Sequence, residues 1–366
     1  MYDTVFMAMQ LHVKRKILLT ALLLSALTAN TQTLKIYHID VEQADATLFI
    51  TPNGSTMLVD AGKNGHGKRI KKIMEQEGIR CLDYIVNTHY HEDHYGGIDD
   101  LARDTTITIG IAYDRGDKAF LPASKLREKA YKGYQATVGH RAMTLTRGMQ
   151  IPIDSAMTVT CISQGGVVLN EEDPVTGKDE NDMSLSLYIK YGNFRYFIGG
   201  DIEAYTERKI AARDLVLDLD VYQANHHGSH TSSSPAFMQD LMPSVVVISN
   251  GSNESYYHPR QVTLNTYYNL ASPPVVFQTN KYLGHKPEAG NVDNEFIADL
   301  QADSDQGTIL VEVDLPQNTY SVKYRDVVKI FSIKQRESVE ESRSERSVPG
   351  AAAHGSTPEQ REALER

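Results

Sequence analysis

Four side chains able to bind a metal ion fall close together in the run Thr88-His89-Tyr90-His91-Glu92-Asp93-His94: His89, His91, Asp93 and His94. The residues before them, Leu82 to Asn87, are apolar and β-prone and predict a buried strand. At the end of an extended segment an i, i+2 pair points both imidazoles to the same side. His89 and His91 therefore converge on one ion, and Asp93 and His94, displaced by the turn, are free to serve a second ion beside it. Gly96-Gly97 and an apolar-periodic stretch then predict entry into a helix. Imidazole and carboxylate donors suit Zn²⁺, Mn²⁺ or Fe, and two such ions at close spacing form a hydrolytic site. The alternative is a histidine-rich surface loop that binds nothing. The strand before and the paired glycines after argue against it.

Spaced as His-x-His-x-Asp-His, these residues resemble the metallo-β-lactamase superfamily, and the family's other parts have counterparts along the chain. Asp60-Ala61-Gly62 is similar to its first motif, whose aspartate orients a metal-bound histidine from behind. Asp40-Val41-Glu42-Gln43-Ala44-Asp45-Ala46 resembles the Asp-Val-Gly-Gln-Gly-Asp-Ala signature of one branch. That branch holds the soluble domain of ComEC-type DNA-uptake channels and the phosphorylcholine esterases. Glu42 and Ala44 replace its two glycines, so loop conformations with positive φ are less freely available here.

Asp201 follows Gly199-Gly200 at the end of a run that begins after the turn Gly192-Asn193. Gly-Asn between alternating apolar stretches is a hairpin signal, so the second strand delivers Asp201 to its end. The resemblance implies that Asp201 bridges the two ions; a plain reading makes it the cap of a helix over residues 202–213. The superfamily usually carries another histidine about twenty residues earlier, where this chain has Asn181. Asn181-Asp182-Met183-Ser184 resembles the Asn-x-x-Ser of the same branch, with Ser184 the trailing serine. One ion is thereby left a ligand short, to be completed by Asn181, a carbonyl oxygen or water.

His226-His227-Gly228-Ser229-His230-Thr231 resembles another motif of that branch. It implies that one of His226 and His227 is a ligand and the other a supporting or proton-transfer residue. Ser229 and Thr231 have hydroxyls to offer phosphate oxygens, or simply cap a helix starting at Pro235. Asn253 to Pro259 resembles Asn-x-Tyr-x-His-Pro, which makes His258 a candidate general acid or else a helix-entry residue. Asp93, His227 and His258 are the candidates for catalytic work.

Short β-like runs must position these groups. Residues 34–40, 45–51 and 57–60 read as strands, with Asn53-Gly54 a hairpin turn between the last two. Residues 67–77 alternate basic and apolar side chains as an amphipathic helix does. Strand and helix signals then alternate to residue 333. This rhythm fits an α/β fold, an αββα four-layer sandwich like that of the metallo-β-lactamases, over residues 33–333.

The net charge of −10 argues against a general nucleic-acid-binding surface. Between residues 110 and 150 the balance reverses, with Arg115, Lys118, Lys125, Arg127, Lys129, Lys132, Arg141 and Arg147 among few acids. That segment is either a basic wall for an anionic substrate or a solvated helix face, and His140 within it reads as a surface residue. Cys81 and Cys161 are expected to be buried thiols, with one disulfide the alternative.

Lys14-Arg15-Lys16, the apolar run Ile17 to Leu27 and a small polar stretch have the order of a secretory signal peptide over residues 1–30. The run is too short to span a bilayer comfortably. Residues 334–366 lack aromatics, are rich in Glu, Arg and Ser, and read as a disordered tail.

The resemblance and the motifs together imply a dinuclear hydrolase, exported to the periplasm or medium, acting on a phosphodiester or related anionic small molecule or polymer. Two divalent ions are expected, Zn²⁺ first, with Mn²⁺ or Fe open. A metal-binding module without activity is one alternative; a secreted nuclease or another ester or lactam hydrolase is the other. Nucleic acid is the less favoured partner, and no membrane span should remain after processing. Mass spectrometry of the exported protein is expected to find a new amino terminus between about Ala26 and Thr33; an intact Lys14 on that species would contradict the export reading.

Overall fold

Alternating apolar side chains make the strands, and Asn53-Gly54 and Gly192-Asn193 turn them back. The computed structural model describes residues 33–116, 121–171, 179–302 and 305–336. The amino-terminal apolar run, Lys118, and nearly all of the acidic-basic tail lie outside the described residues.

The first sheet begins with β1 (Leu34–His38), β2 (Thr47–Ile50) and β3 (Thr56–Val59) as an antiparallel meander. Gly54 sits at φ 86° in the turn, with Thr47 opposite Val59 in the hairpin that follows. β4 (Cys81–Val86), β5 (Thr108–Asp114) and β6 (Met143–Thr144) extend it in parallel.

The chain then builds the second sheet from β7 (Gln150–Ile151), β8 (Met157–Gln164) and β9 (Val167–Val168). The expected Gly-Asn hairpin pairs β10 (Ser186–Tyr191) with β11 (Phe194–Ile198), Leu187 facing Ile198. β12 (Val221–Gln223), β13 (Val245–Ile248), β14 (Val275–Asn280) and β15 (Ile297–Asp299) follow in parallel. β16 (Ile309–Asp314) crosses back to pair with β1, and β17 (Thr319–Tyr324) and β18 (Val327–Ser332) close the first sheet. The orders are β18-β17-β16-β1-β2-β3-β4-β5-β6 and β15-β14-β13-β12-β11-β10-β8-β7, with β9 on β8.

Side chains alternate between faces along each strand, so each sheet has two buried sides. Met57, Val59, Leu187, Ile189, Val245 and Val247 meet in one core between the sheets. Leu58, Leu82 and Ile85 point the other way, onto Ile70 and Met74 of α1 (Gly67–Gln76), and onto residues of α2 (Glu92–Tyr95) and α3 (Ile98–Arg103). Tyr131 and Tyr134 complete that layer from α5 (Lys129–Tyr134), which follows α4 (Ala123–Arg127). On the far side Phe197, Tyr222 and Val246 pack against α6 (Ala204–Ala211), α7 (Pro235–Leu241) and α8 (Gln261–Tyr268). These are the four layers αββα. Among the described residues no helix is long and apolar enough to cross a membrane.

Three details differ from expectation. The helix expected over 202–213 starts at Ala204 with Glu203 in the capping place, so Asp201 stands clear of it. The two- and three-residue strands β6, β7, β9, β12 and β15 are too short to carry a period in sequence. Part of the basic segment is spent on the fold, since Arg115 is buried on Glu180 and Arg141 and Arg147 donate to backbone carbonyls, whereas Lys125, paired with Glu128, lines the cavity described below. Both cysteines are free thiols, Cys161 in the inter-sheet core.

One buried carboxylate ties the second sheet's helix to the loop after β12. Glu207 of α6 accepts from Asn225 Nδ2 at 2.9 Å and from the backbone N–H groups of Ser233 and Ser234 at 2.6 and 2.7 Å. It therefore clamps both ends of the segment that carries His226 and His227. Glu207→Gln turns one acceptor into a donor and leaves a buried N–H unmet, which is expected to cost about 1–3 kcal/mol in denaturant unfolding; unchanged stability would mean the clamp is dispensable.

Candidate metal centre

Parallel strands end on the same side in both sheets, and their carboxyl ends are where ligands collect in such sheets. β3 ends at Asp60, β4 leads to His89–His94, β11 to Asp201, and β12 to His226 and His227. Gly200 before Asp201 has φ 56°, and a Cβ there would sit 2.8 Å from Thr88 Oγ1, so only glycine lets this strand end approach the histidine loop.

Asp60 holds that loop from beneath. Its Oδ1 accepts from Thr88 N and its Oδ2 from Thr88 Oγ1, each at 2.8 Å, and Oδ2 also bonds His94 Nδ1 at 2.8 Å. With Nδ1 engaged, Nε2 of His94 faces Asp201 Oδ1 at 3.3 Å. His227 is fixed in the same manner: its Nδ1 bonds the Ser249 carbonyl oxygen at 3.0 Å, and its Nε2 lies 3.6 Å from Asp93 Oδ2 and 3.9 Å from Asp201 Oδ1. On the other side, His89 Nε2 is 3.7 Å from Asp201 Oδ2 and 3.0 Å from His91 Nδ1.

Asp201 thus faces two donor groups with its two oxygens. Asp45, His94, Asp201 and His227 form one group and His89, His91 and Asp201 the other, with ligand atoms within 4.8 Å of one another in each. The buried Nε2 of His94, Nε2 of His227 and Oδ1 of Asp201 find no hydrogen-bond partner among the described residues. Lone pairs converging on a common point without donors suit a cation, and imidazoles with carboxylates suit Zn²⁺, Mn²⁺ or Fe. The residues fit divalent metal ions.

The structure separates the adjacent histidines. Both have left-handed backbone, φ 50° at His226 and 54° at His227, which turns their side chains apart. His227 is buried in the cluster; His226 is partly exposed, with Nδ1 3.1 Å from Thr231 Oγ1 and 3.5 Å from Glu203, and Nε2 3.8 Å from Asp201 Oδ2. Ser229 Oγ bonds Thr231 Oγ1 at 3.1 Å, and Ser184 Oγ accepts from Asp201 N at 3.2 Å. A cavity of ≈ 550 Å³ opens over the group, lined by His91, Asp93, Asn181, Asp201, His227 and His258 among others. His258 is 4 % exposed, its ring 5.6 Å from that of His226 and under the exposed ring of Tyr256.

Two residues near the centre went unnoticed in the sequence. Asp45 had a signal, since it belongs to the Asp40–Ala46 motif, but its place beside His227 comes from the fold: its backbone N–H bonds Asp93 O. Glu203, against His226 and Asn181, had none.

Electrostatics follow from burial among carboxylates. Burial opposes charge on His94 and His227, yet Asp201 and Asp60 hold His94 well above its usual range, and Asp45, Asp201 and Asp93 push His227 up to about 9. Burial also resists charge on Asp93 and Asp201, but the neighbouring histidines hold both carboxyls down. His89 and His91 are lowered, chiefly by burial. Without metal, the protons on His94 and His227 balance part of the carboxylate charge of the centre. A histidine raised in the fold stabilises fully below its unfolded pKa and loses that contribution as pH rises through the folded value. Metal-stripped protein is therefore expected to lose melting temperature between about pH 6.5 and 9, whereas loaded protein should not; parallel profiles would contradict this charge arrangement.

Comparison with known proteins agrees with the geometry. The chain is 27% identical over 197 residues to ComE operon protein 3 of Bacillus subtilis (strain 168), covering 52% of this chain and 23% of that protein. It is 31% identical over 227 residues to Competence protein ComA of Neisseria gonorrhoeae, covering 62% and 28%. A UPF0173 metal-dependent hydrolase of Thermodesulfovibrio yellowstonii is 34% identical over 91 residues, 24% of this chain and 32% of its own. The chain thus spans about a quarter of the competence proteins' length. The sequence profile of the metallo-beta-lactamase superfamily matches residues 39–237, from the first loop through the histidine motif, Asp201 and the His226-His227 pair, and the chain belongs to that superfamily.

Proposed function

We propose that the protein is a dinuclear metal-dependent hydrolase of phosphodiesters or related phosphoesters, with Zn²⁺ as the first candidate metal. The observation that carries the reading is Asp201, whose two oxygens face two separate donor groups on the floor of one cavity. Two divalent ions held there would activate water for attack on phosphorus and offset charge on the phosphoryl oxygens.

His89 and His91 would hold one ion, and His94, His227 and Asp93 the other, with Asp45 beside them. Asp60 and the Ser249 carbonyl keep His94 and His227 in the tautomer that presents Nε2. An anionic substrate is favoured by Lys63 and Arg260 on the cavity wall, the Arg260 guanidinium lying 3.6 Å over the Tyr257 ring with its buried Nε lacking a partner among the described residues. Ser229 and Thr231 add hydroxyl donors to the same wall. The resemblance of the Asp40–Ala46 and His226–Thr231 motifs to those of the phosphorylcholine esterase branch supports a phosphoester over a lactam, and the name of the metal-dependent hydrolase supports hydrolysis with metal. The segment Lys14 to Leu27 supports export.

Burial and the neighbouring His227, His226 and Arg260 hold the His258 imidazole well below its usual range. A neutral imidazole there can orient a substrate oxygen; acting as general acid would require it to charge against those neighbours. His258→Ala is therefore expected to lose similar activity on an activated ester such as bis(p-nitrophenyl) phosphate and on an unactivated one. A loss confined to the poor leaving group would restore the general-acid role.

Asp201→Asn keeps the size and removes the charge shared by both ions. Turnover of bis(p-nitrophenyl) phosphate is expected to fall at least ~100-fold with loss of bound metal. Near-normal turnover with both ions retained would reject the dinuclear mechanism.

A further inference from the structure

The donor group around His89, His91 and Asp201 is one protein ligand poorer than the group around His94 and His227. Asn181 lies beside it. The side chain is 8 % exposed and lines the cavity with His91, Asp201 and His226. Its Nδ2 donates to Glu203 Oε1 at 3.2 Å, which fixes which end of the amide is nitrogen. Its Oδ1 is buried and meets no donor among the described residues. Such an orphaned acceptor is costly unless something positive completes it.

The backbone that carries Asn181 is held by an unusual device. Arg115 is 1 % exposed, the largest of the fully buried side chains. Its Nε and Nη2 donate to the two oxygens of Glu180, each at 2.8 Å, a forked pair. Its guanidinium also lies 4.6 Å over the ring of Tyr90, whose backbone N–H donates to Glu180 Oε1 at 2.7 Å. Tyr90 is the residue between His89 and His91, and Glu180 is the residue before Asn181. One ion pair, fully buried on the arginine side, therefore fixes two imidazoles and one amide relative to each other. Downstream, Leu185 N bonds Thr88 O at 3.0 Å, which ties the far end of the turn to the same loop.

We propose that Asn181 Oδ1 is the remaining protein ligand of the ion held by His89, His91 and Asp201, and that Arg115 and Glu180 are its positioning residues. The inference rests on the dinuclear reading above. An amide oxygen is a neutral, hard donor, so this ion is bound less tightly than by an imidazole when the metal is Zn²⁺. His226 is the competing donor, since its Nε2 stands 3.8 Å from Asp201 Oδ2. Its Nδ1 faces Thr231 and Glu203, and it belongs to neither group of converging ligand atoms.

The test is metal content and Zn²⁺ affinity of the full chain, measured by elemental analysis and competition with a chromogenic chelator. Wild type is expected to hold two ions, Asn181→Leu one, and His226→Ala two. Asn181→His should hold two, with the weaker Zn²⁺ site tightened at least ~10-fold, because an imidazole replaces the amide oxygen. Glu180→Gln breaks the ion pair without touching a ligand and should weaken the same site ~10–100-fold while leaving the other unchanged. Two ions of unaltered affinity in Asn181→Leu, or loss of an ion in His226→Ala instead, would overturn the assignment alone. If Asn181→Leu does not fold, an unchanged Zn²⁺ affinity in Asn181→His overturns it. A wild-type chain with only one ion would overturn both this assignment and the dinuclear mechanism.

Discussion

Asp201 is buried between imidazoles, and the rest of the structure answers that one constraint. A carboxylate taken out of water costs several kcal/mol unless positive charge reaches it. Here His94 and His227 stand on one side and His89 on the other, and behind them lie further buried carboxylates, Asp45 and Asp60. Protons on two histidines balance part of this charge. Two divalent cations would balance all of it and would also meet the lone pairs left without donors. The centre is thus built at a cost in the metal-free fold that metal binding offsets, which couples metal affinity to stability.

The scaffold fixes the positions of those groups. Asp60 grips Thr88 and His94 with three contacts, Ser249 takes the far nitrogen of His227, and Glu207 clamps the loop that carries it. Arg115, Glu180 and Tyr90 do the same for the other side. Asp60, Ser249 and Arg115 stand at three different strand ends, and Glu207 on α6. The two-sheet architecture matters because it brings the carboxyl ends of both parallel segments to one line, where loops of the two halves interlock.

The sequence was most legible where chemistry is local. His89, His91, Asp93 and His94 are contiguous, and the Gly-Asn turn with Gly199-Gly200 marks Asp201 as the end of a strand, so their convergence could be foreseen. The layered fold could be foreseen too, because alternation along β3 and β10 sends successive side chains to opposite faces. What two neighbouring residues do was not legible: His226 and His227 share composition and context, and only their partners in the fold separate them, Ser249 and Asp93 for His227, Thr231 and Glu203 for His226. Nor was Asp45, whose approach to His227 depends on the pairing of a first-sheet loop with the histidine loop. The basic segment shows the limit of counting charges, since Arg115 is buried against the half-buried Glu180 rather than facing a substrate.

The measurement that bears most directly on this account is anomalous X-ray diffraction from crystals of the metal-loaded protein, collected at the edge of the bound metal. The account predicts two peaks roughly 3.5–4 Å apart. One should lie against His89 and His91, the other against His94 and His227, with an oxygen of Asp201 on each. A single peak, or two peaks that Asp201 does not join, would contradict it.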